Sequence, residues 1–141
     1  MKELFSGTLI FVVVLIGSQS APVSASQESG KEVPKGFSYP ESPKTTELKN
    51  PIRTTSLSGT VADAAGFPIP RILVELVSRD WKRRLAAIFT DSEGTFAFAT
   101  ARKGKHYLKL SGPGFDSLMV RVIATKKAKA KRLKLFLNPS T

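Results

Sequence analysis

The sequence predicts an all-β fold, a sandwich of seven short antiparallel strands, and three observations support this prediction. From residue 53 onward, apolar and polar residues alternate with the period of two that is typical of half-buried strands. No stretch repeats with the period of an amphipathic helix. Turn-forming residues, mainly glycine and proline, separate the alternating stretches at short intervals, as they do in β-sandwiches.

The first three predicted strands are separated by clear breaks. Residues 56–63 (SLSGTVAD) form the first strand, and the following AAGFPIP contains a glycine and two prolines, which favour a turn. Residues 72–78 (ILVELVS) form the second strand and place three branched apolar side chains on one face. The polar segment RDWKRR then leads to the third strand, residues 85–90 (LAAIFT).

The segment DSEG, residues 91–94, leaves the chain little room to reverse its direction before the fourth strand, residues 95–99. An aspartate at the first position of a type I turn accepts backbone N–H groups, and Gly94 adopts a positive φ without strain. The alternative is a calcium or acid–base site. Because Ca²⁺ takes roughly six to eight oxygen ligands and this loop offers only Asp91 and Glu93, we predict a turn instead.

The last three predicted strands are residues 106–111, 117–125 and 132–138, with a GPGF turn after the first of them. We expect one face of all seven strands to form a single core, large enough for residues 53–141 to fold as one domain. The side chains predicted to point inward are Leu57, Val61, Ile72, Val74, Leu76, Ile88, Phe96, Phe98, Leu108, Leu110, Leu118, Val120, Val122, Leu133, Leu135 and Leu137.

Residues 1–25 have the pattern of a secretory signal peptide. Lys2 precedes an apolar run over residues 9–16, and the small residues Val23 and Ala25 predict cleavage after Ala25. The alternative, a membrane anchor, requires about 20 apolar residues, and this run is much shorter. We therefore expect an exported protein, either periplasmic, cell-surface or secreted.

Residues 26–52 differ in composition from the rest of the chain. Four prolines are scattered among Ser, Glu, Lys and Thr, and four glutamates balance four lysines, so we predict a flexible leader with no fold of its own. Residues 53–141 contain 17 Lys or Arg and 6 Asp or Glu, so the predicted domain carries the whole net charge of +11.

The ordered motifs SGTVADAAGFPIPRILVEL, TDSEGTFAF and GKHYLKLSGPGF resemble the carboxypeptidase regulatory-like domain over residues 57–138. The resemblance implies a transthyretin-like (prealbumin-like) Greek-key sandwich and a non-catalytic accessory or interaction role on exported proteins. His106 stands where the family usually has tyrosine, which affects local packing. The matching positions are Gly59, Val61, Asp63, Gly66, Pro68, Val74, Leu76, Thr90, Asp91, Gly94, Phe96, Phe98, Gly104, Leu108, Leu110, Pro113, Gly114 and Phe115.

The composition argues against an enzyme. Without cysteine there is no disulfide, no thiol-linked lipid anchor and no thiolate metal site, and His106 is the only histidine. Transthyretin-like hydroxyisourate hydrolases have several His and Arg residues and a C-terminal Tyr-Arg-Gly-Ser, whereas this chain ends in Asn-Pro-Ser-Thr; intradiol dioxygenases hold iron with two Tyr and two His. We therefore predict no catalytic, cofactor-binding or metal site, and rank a hydrolase of the transthyretin-like type last.

A basic segment before the seventh strand is the strongest candidate for a binding surface. We predict that it forms a hairpin loop. The first function hypothesis is an exported, non-catalytic module that binds an envelope or extracellular component or a protein partner; the alternative is a secreted binder of anionic polymers, an acidic polysaccharide or a phosphate-bearing envelope polymer, through this hairpin. Trp81, in RDWKRR, is a candidate for stacking on a sugar ring, with packing on the domain as the favoured alternative. Solubility or edge protection is the favoured explanation of such charge, with a specific polyanion partner as the alternative, and export disfavours nucleic acid. The candidate anion-contact residues are Lys126, Lys127, Lys129, Lys131, Arg132 and Lys134.

Overall fold

The computed structural model describes residues 32–42, 44–99 and 102–140, and within them the protein is all-β. The predicted signal peptide lies outside the described residues. All seven predicted strands form, and two further strands precede them. The strands are β1 (Thr45–Glu47), β2 (Ile52–Thr54), β3 (Ser58–Asp63), β4 (Leu73–Val77), β5 (Arg84–Phe89), β6 (Thr95–Ala97), β7 (Gly104–Ser111), β8 (Ser117–Ala124) and β9 (Leu133–Leu137).

The strands form two sheets that share one core. The large sheet has the order β1-β8-β7-β4-β5, with β2 also paired to β8, and the small sheet has the order β9-β3-β6. All sixteen side chains that the alternation placed inward are either buried in this core or packed against it, which confirms the predicted face of every strand. Among the described residues there is no helix long and apolar enough to cross a membrane.

The expectation of an all-β fold is confirmed, whereas the expected seven strands and their purely antiparallel pairing need correction, because nine strands are described and both sheets are mixed. Strand β9 pairs parallel with β3, while β1 and β2 pair parallel with β8. Gly59 allows the β3–β9 pairing, since a Cβ at this position would collide with the Leu133 carbonyl. Residues 125–132 are therefore a connection from the large sheet to the small one and not the hairpin loop that the sequence suggested. The Greek-key topology stays a prediction.

The expectation of a flexible leader over residues 26–52 needs correction for its described part. Strand β1 lies within it, and Leu48 and Ile52 pack against the core. On the outer face of the large sheet, the ring of Phe37 lies 5.4 Å from that of Phe89. Phe89 is an apolar residue on the face that the alternation predicted to be solvated, and the leader covers it.

Candidate functional site

Three loops lie together at one end of the large sheet because of its strand register. Val77, the last residue of β4, pairs with both Arg84 at the start of β5 and Tyr107 near the start of β7. Gly104, the first residue of β7, pairs with Ala124, the last residue of β8. Residues 78–83, 102–105 and 125–132 therefore share one end of the molecule, which we call the basic end; they are the loops at these strand ends together with the first two residues of β7.

The basic end is named for its composition. Its three loops contribute three, three and five Lys or Arg residues, and all eleven are exposed. The single carboxylate among them is Asp80. No described carboxylate lies within ion-pairing distance of any of these cations. The eleven cations are Arg79, Lys82, Arg83, Arg102, Lys103, Lys105, Lys126, Lys127, Lys129, Lys131 and Arg132.

The backbone of the loop over residues 125–132 is anchored, although its five cationic side chains have no described ion-pair partner. Thr55 donates its N–H to the Ala130 carbonyl at 3.0 Å, and the Ser56 hydroxyl donates to the Lys131 carbonyl at 2.8 Å. At the start of the loop, the Thr125 N–H donates to Thr54 at 2.9 Å. These bonds reduce the entropy that the loop would lose on binding a ligand.

Five of the six predicted anion-contact residues lie in this loop, and the sixth lies beyond it. Lys134 is in β9 and points outward from the small sheet, between the buried Leu133 and Leu135. The alternation of Arg132 and Lys134 with buried leucines follows the prediction from sequence. The sequence also identified the cations of RDWKRR as a second basic cluster, but it did not show that residues 102–105 lie on the same surface.

The loop over residues 78–83 is held by its own carboxylate. Asp80 accepts hydrogen bonds from the Ser78 hydroxyl at 2.6 Å and from the Lys82 N–H at 3.0 Å. The hydrogen bond from Ser78, followed by the one from Lys82, lowers the pKa of Asp80, so this carboxylate is charged at neutral pH. The tight turn places Trp81 at φ 67°.

Trp81 packs on the domain, the alternative that the sequence favoured over sugar stacking. Its ring meets that of Tyr107 edge to face, with 5.3 Å between the centroids, and the residue is half-buried. Arg84, at the end of RDWKRR, also makes contacts within the protein. Its Nε lies 2.9 Å from the Glu75 carboxylate, and its guanidinium donates to the Phe37 carbonyl at 2.5 Å. Arg84 therefore holds the leader on the sheet.

His106 has no carboxylate partner among the described residues. Its Nε2 lies 2.5 Å from the carbonyl oxygen of Arg102, so the ring contacts backbone. The described part of the chain contains no cluster of three or more His, Cys, Asp or Glu side chains that could hold a metal ion.

The DSEG segment lies at the opposite end of the sandwich and forms the predicted turn. Oδ1 of Asp91 accepts the N–H groups of Glu93 and Thr95, each at 2.9 Å. Gly94 has φ 72°, the left-handed conformation that the turn requires. Asp91 is therefore a turn-forming residue.

The comparisons with known proteins agree with this fold. The family model for the carboxypeptidase regulatory-like domain matches residues 56–138, more than half of the chain. The protein belongs to the carboxypeptidase regulatory-like domain family. The match begins close to β3 and ends just after β9, so it includes the seven strands that the sequence predicted. No curated protein matches the sequence at a significant level.

Three solved structures illustrate the distant likeness to other proteins. The 3-chlorocatechol 1,2-dioxygenase of Rhodococcus opacus 1CP is 15% identical, covers 86% of this chain and 78% of its own, and has a TM-score of 0.43. The hydroxyquinol 1,2-dioxygenase of Pseudomonas putida DLL-E4 is 10% identical, covers 92% of this chain and 76% of its own, and has a TM-score of 0.43. The catechol 1,2-dioxygenase of Pseudomonas arvilla C-1 is 13% identical, covers 94% of this chain and 69% of its own, and has a TM-score of 0.42. Such scores carry no argument about the activity or ligands of this chain.

Proposed function

We propose that this protein is an exported, non-catalytic binding module that contacts an anionic polymer of the cell envelope or its surroundings through the basic end. The observation that carries the proposal is the convergence of eleven exposed cations from three loops, with a single carboxylate among them. Such a surface attracts polyanions over a distance and releases their counterions on contact. Phosphate-bearing envelope polymers and acidic polysaccharides have the matching chemistry.

Two features support the non-catalytic and exported parts of the proposal. His106 is the only histidine of the chain and contacts a backbone carbonyl, so the described residues offer it no orienting carboxylate of the kind a triad uses. The signal-peptide pattern of residues 1–25 supports export, which brings the protein into contact with envelope polymers.

Edge protection explains the basic end poorly. A lysine that guards a sheet edge lies along an edge strand, as Lys134 does on β9. Ten of the eleven cations instead lie in loops beyond the strand ends, and the eleventh, Lys105, lies on β7, which is not an edge strand. Solubility remains the main competing explanation, because any exposed cation raises the net charge wherever it lies.

Binding measurements with matched charge variants test the proposal. The probes are polyphosphate, polygalacturonate and neutral dextran, each at low salt and at about 150 mM salt, where charges screen each other beyond roughly 8 Å. One variant changes Lys126, Lys127, Lys129 and Lys131 to Ser. The control removes the same charge elsewhere, with the substitutions Lys35→Ser, Lys44→Ser, Lys49→Ser and Lys109→Ser.

We expect saturable binding to one acidic polymer at the higher salt concentration, about tenfold weaker in the loop variant and nearly unchanged in the control. Equal losses in both variants would mean that only net charge matters and would contradict a site at the basic end. Binding to every polyanion that disappears at the higher salt concentration would assign the charge to solubility. Absence of binding to both acidic polymers even at low salt would contradict the proposal and favour the second candidate, a module for a protein partner.

A further inference from the structure

The sandwich is open along one side, between the strands that end the two sheets. Strand β5 ends the large sheet and β6 ends the small one. Between them lies a cleft of about 510 Å³ with mainly apolar walls. The large sheet contributes Leu76, Ala86 and Ile88, and the small-sheet side contributes Ala97 and Phe98. The cleft is wide enough to accept apolar side chains from outside.

Most of the outer edge of β5, which adjoins this cleft, has no pairing partner among the described residues, and a β-bulge at Leu85 is the one irregularity in its pairing with β4. One edge of β5 pairs with β4, while on the other edge the described residues contribute only an isolated bridge between Glu32 and Ile88. The sequence LAAIF that follows Arg84 contains no charge and no proline, which are two of the features that protect edge strands. Leu85 is 54% exposed at the rim of the cleft.

The leader begins to pair with this edge but then leaves it. Pro34, two residues after Glu32, has no N–H to donate, and a turn follows in which the Phe37 N–H donates to the Pro34 carbonyl at 3.0 Å. The chain then reaches the outer face of the large sheet, where Phe37 packs on Phe89. Residues 84–87 therefore have an edge that no described residue pairs with.

The bridge also indicates the direction in which a further strand fits. Glu32 pairs antiparallel to Ile88, and β5 runs from the basic end towards the opposite end. A peptide with the same direction as the leader would have its C-terminal end at the basic end. Arg102 and His106 line the cleft there, so a carboxylate at the end of the peptide would meet a cation.

We propose that the β5 edge and the adjoining cleft bind an extended peptide segment of a partner protein by strand addition. The peptide runs antiparallel to β5 and forms main-chain hydrogen bonds with residues 84–87. Its alternate apolar side chains enter the cleft, and its terminal carboxylate lies near Arg102. This division, with backbone bonds for affinity and side-chain pockets for specificity, is general for peptides that extend a sheet.

A binding titration tests this proposal with a defined probe, a short fluorescent peptide of alternating threonine and valine that ends in glutamate with a free carboxylate. A second probe has glutamine and an amidated end instead. The edge variant is Leu85→Lys. Its matched control is Phe136→Lys on β9, because Phe136 is 55% exposed and β9 is also an edge strand. Arg102→Ala removes the cation that meets the carboxylate.

We expect Leu85→Lys to weaken the free-acid peptide about tenfold or more and Phe136→Lys to leave it unchanged. Arg102→Ala should weaken the free-acid peptide several-fold and the amide much less. The Lys-to-Ser variant of residues 126–131 should bind the peptide normally, so failure of this inference and failure of the polymer hypothesis are distinguishable. Hydrogen exchange should show new protection in residues 84–87 when the peptide binds.

Three outcomes would overturn the inference. The first is equal binding by the Leu85→Lys and Phe136→Lys variants, which would place the peptide elsewhere. The second is protection, in the free monomer, of those N–H groups of residues 84–87 that do not bond to β4, because the outer edge would then already be paired. The third is a dimer of the unmodified protein that Leu85→Lys dissociates, since a second copy of the chain would then be the occupant.

Discussion

The two ends of the sandwich use their charged residues in different ways. At the end opposite the basic end, the loops over residues 63–71, 90–94 and 112–116 contain four carboxylates and one cation, Arg71. Oδ1 of Asp63 accepts the N–H groups of Ala65 and Phe67, each at 2.9 Å, much as Asp91 accepts those of its own turn. We call this the acidic end.

The basic end contains many more charges, but few of them shape the chain. Of the charged side chains described there, only that of Asp80 forms turn-stabilising hydrogen bonds, while the eleven cations are exposed to solvent. A charge that shapes a turn is explained by the fold, whereas a cluster of exposed like charges repels itself and needs another explanation. The basic end is therefore the better candidate for a functional surface. If charges stabilise turns mainly at the acidic end, substitutions there should lower stability more than substitutions at the basic end.

Glycine substitutions should show the largest difference between the two ends. Gly94 at the acidic end has φ 72°, and a Cβ there would lie 2.6 Å from the Val61 carbonyl oxygen. Gly104 at the basic end has φ 116° with no atom within 4 Å of an added Cβ. We expect Gly94→Ala to lower the free energy of unfolding by about 3 kcal/mol and Gly104→Ala by about 1–2 kcal/mol, measured by urea denaturation. Equal losses of stability would mean that the positive φ alone sets the cost at both positions and that the close contact at Gly94 adds nothing.

Removal of a turn carboxylate should cost less than the glycine substitution. Asp91→Ala leaves the N–H groups of Glu93 and Thr95 without their acceptor, so we expect the free energy of unfolding to fall by about 1–2 kcal/mol. Asp80→Ala should have a smaller effect because Asp80 is fully exposed and water replaces its hydrogen bonds. Thermal melts of both variants check the order, and a larger loss for Asp80→Ala would contradict the proposed difference between the ends.

The stability that Asp91 provides should depend on pH. Burial alone would raise the pKa of this carboxyl, but hydrogen bonds from the Thr95 hydroxyl and from the N–H groups of Thr95 and Glu93 outweigh it and lower the pKa below its usual 3.8. A lowered pKa in the folded state means that the stabilisation is complete above pH about 3.8 and is lost as the pH falls through the lowered value.

Urea denaturation of the wild type and of Asp91→Asn measures this dependence. We expect the wild type to be the more stable at pH about 6 and the difference to shrink towards pH about 2, where the carboxylate is protonated. Asp91→Asn is a suitable variant because it keeps an oxygen acceptor and removes only the charge. A difference that does not change with pH would show that the charge of Asp91 does not contribute to the turn.

The smallest effect on stability is expected at the basic end. The change of Lys126, Lys127, Lys129 and Lys131 to Ser should alter the free energy of unfolding by less than about 0.5 kcal/mol, because these side chains have no described ion-pair partner and the loop is held by its backbone. Urea denaturation of this variant and of the charge-matched control checks the value. A loss as large as that of Asp91→Ala would mean that the lysines hold the loop and would weaken the case for a binding surface.

The sequence by itself determined the parts of this fold that depend on near neighbours. Alternation along each predicted strand correctly identified every side chain that it placed inward, such as Phe96 and Leu135, because successive side chains in a strand point to opposite faces. The turn over residues 91–94 was also predictable, since the aspartate acceptor, the backbone donors and the glycine lie within a few positions of one another.

The tertiary structure decided which strands pair and which loops meet. Alternation is the same for parallel and antiparallel partners, so it did not reveal that β9 joins β3 and leaves residues 125–132 as a connection between sheets. The leader strands β1 and β2 are short, and their pairing depends on the edge that β8 offers. The basic end is likewise a product of register: its three loops are separated along the chain, and only long-range hydrogen bonding between β4, β7 and β8 brings them together.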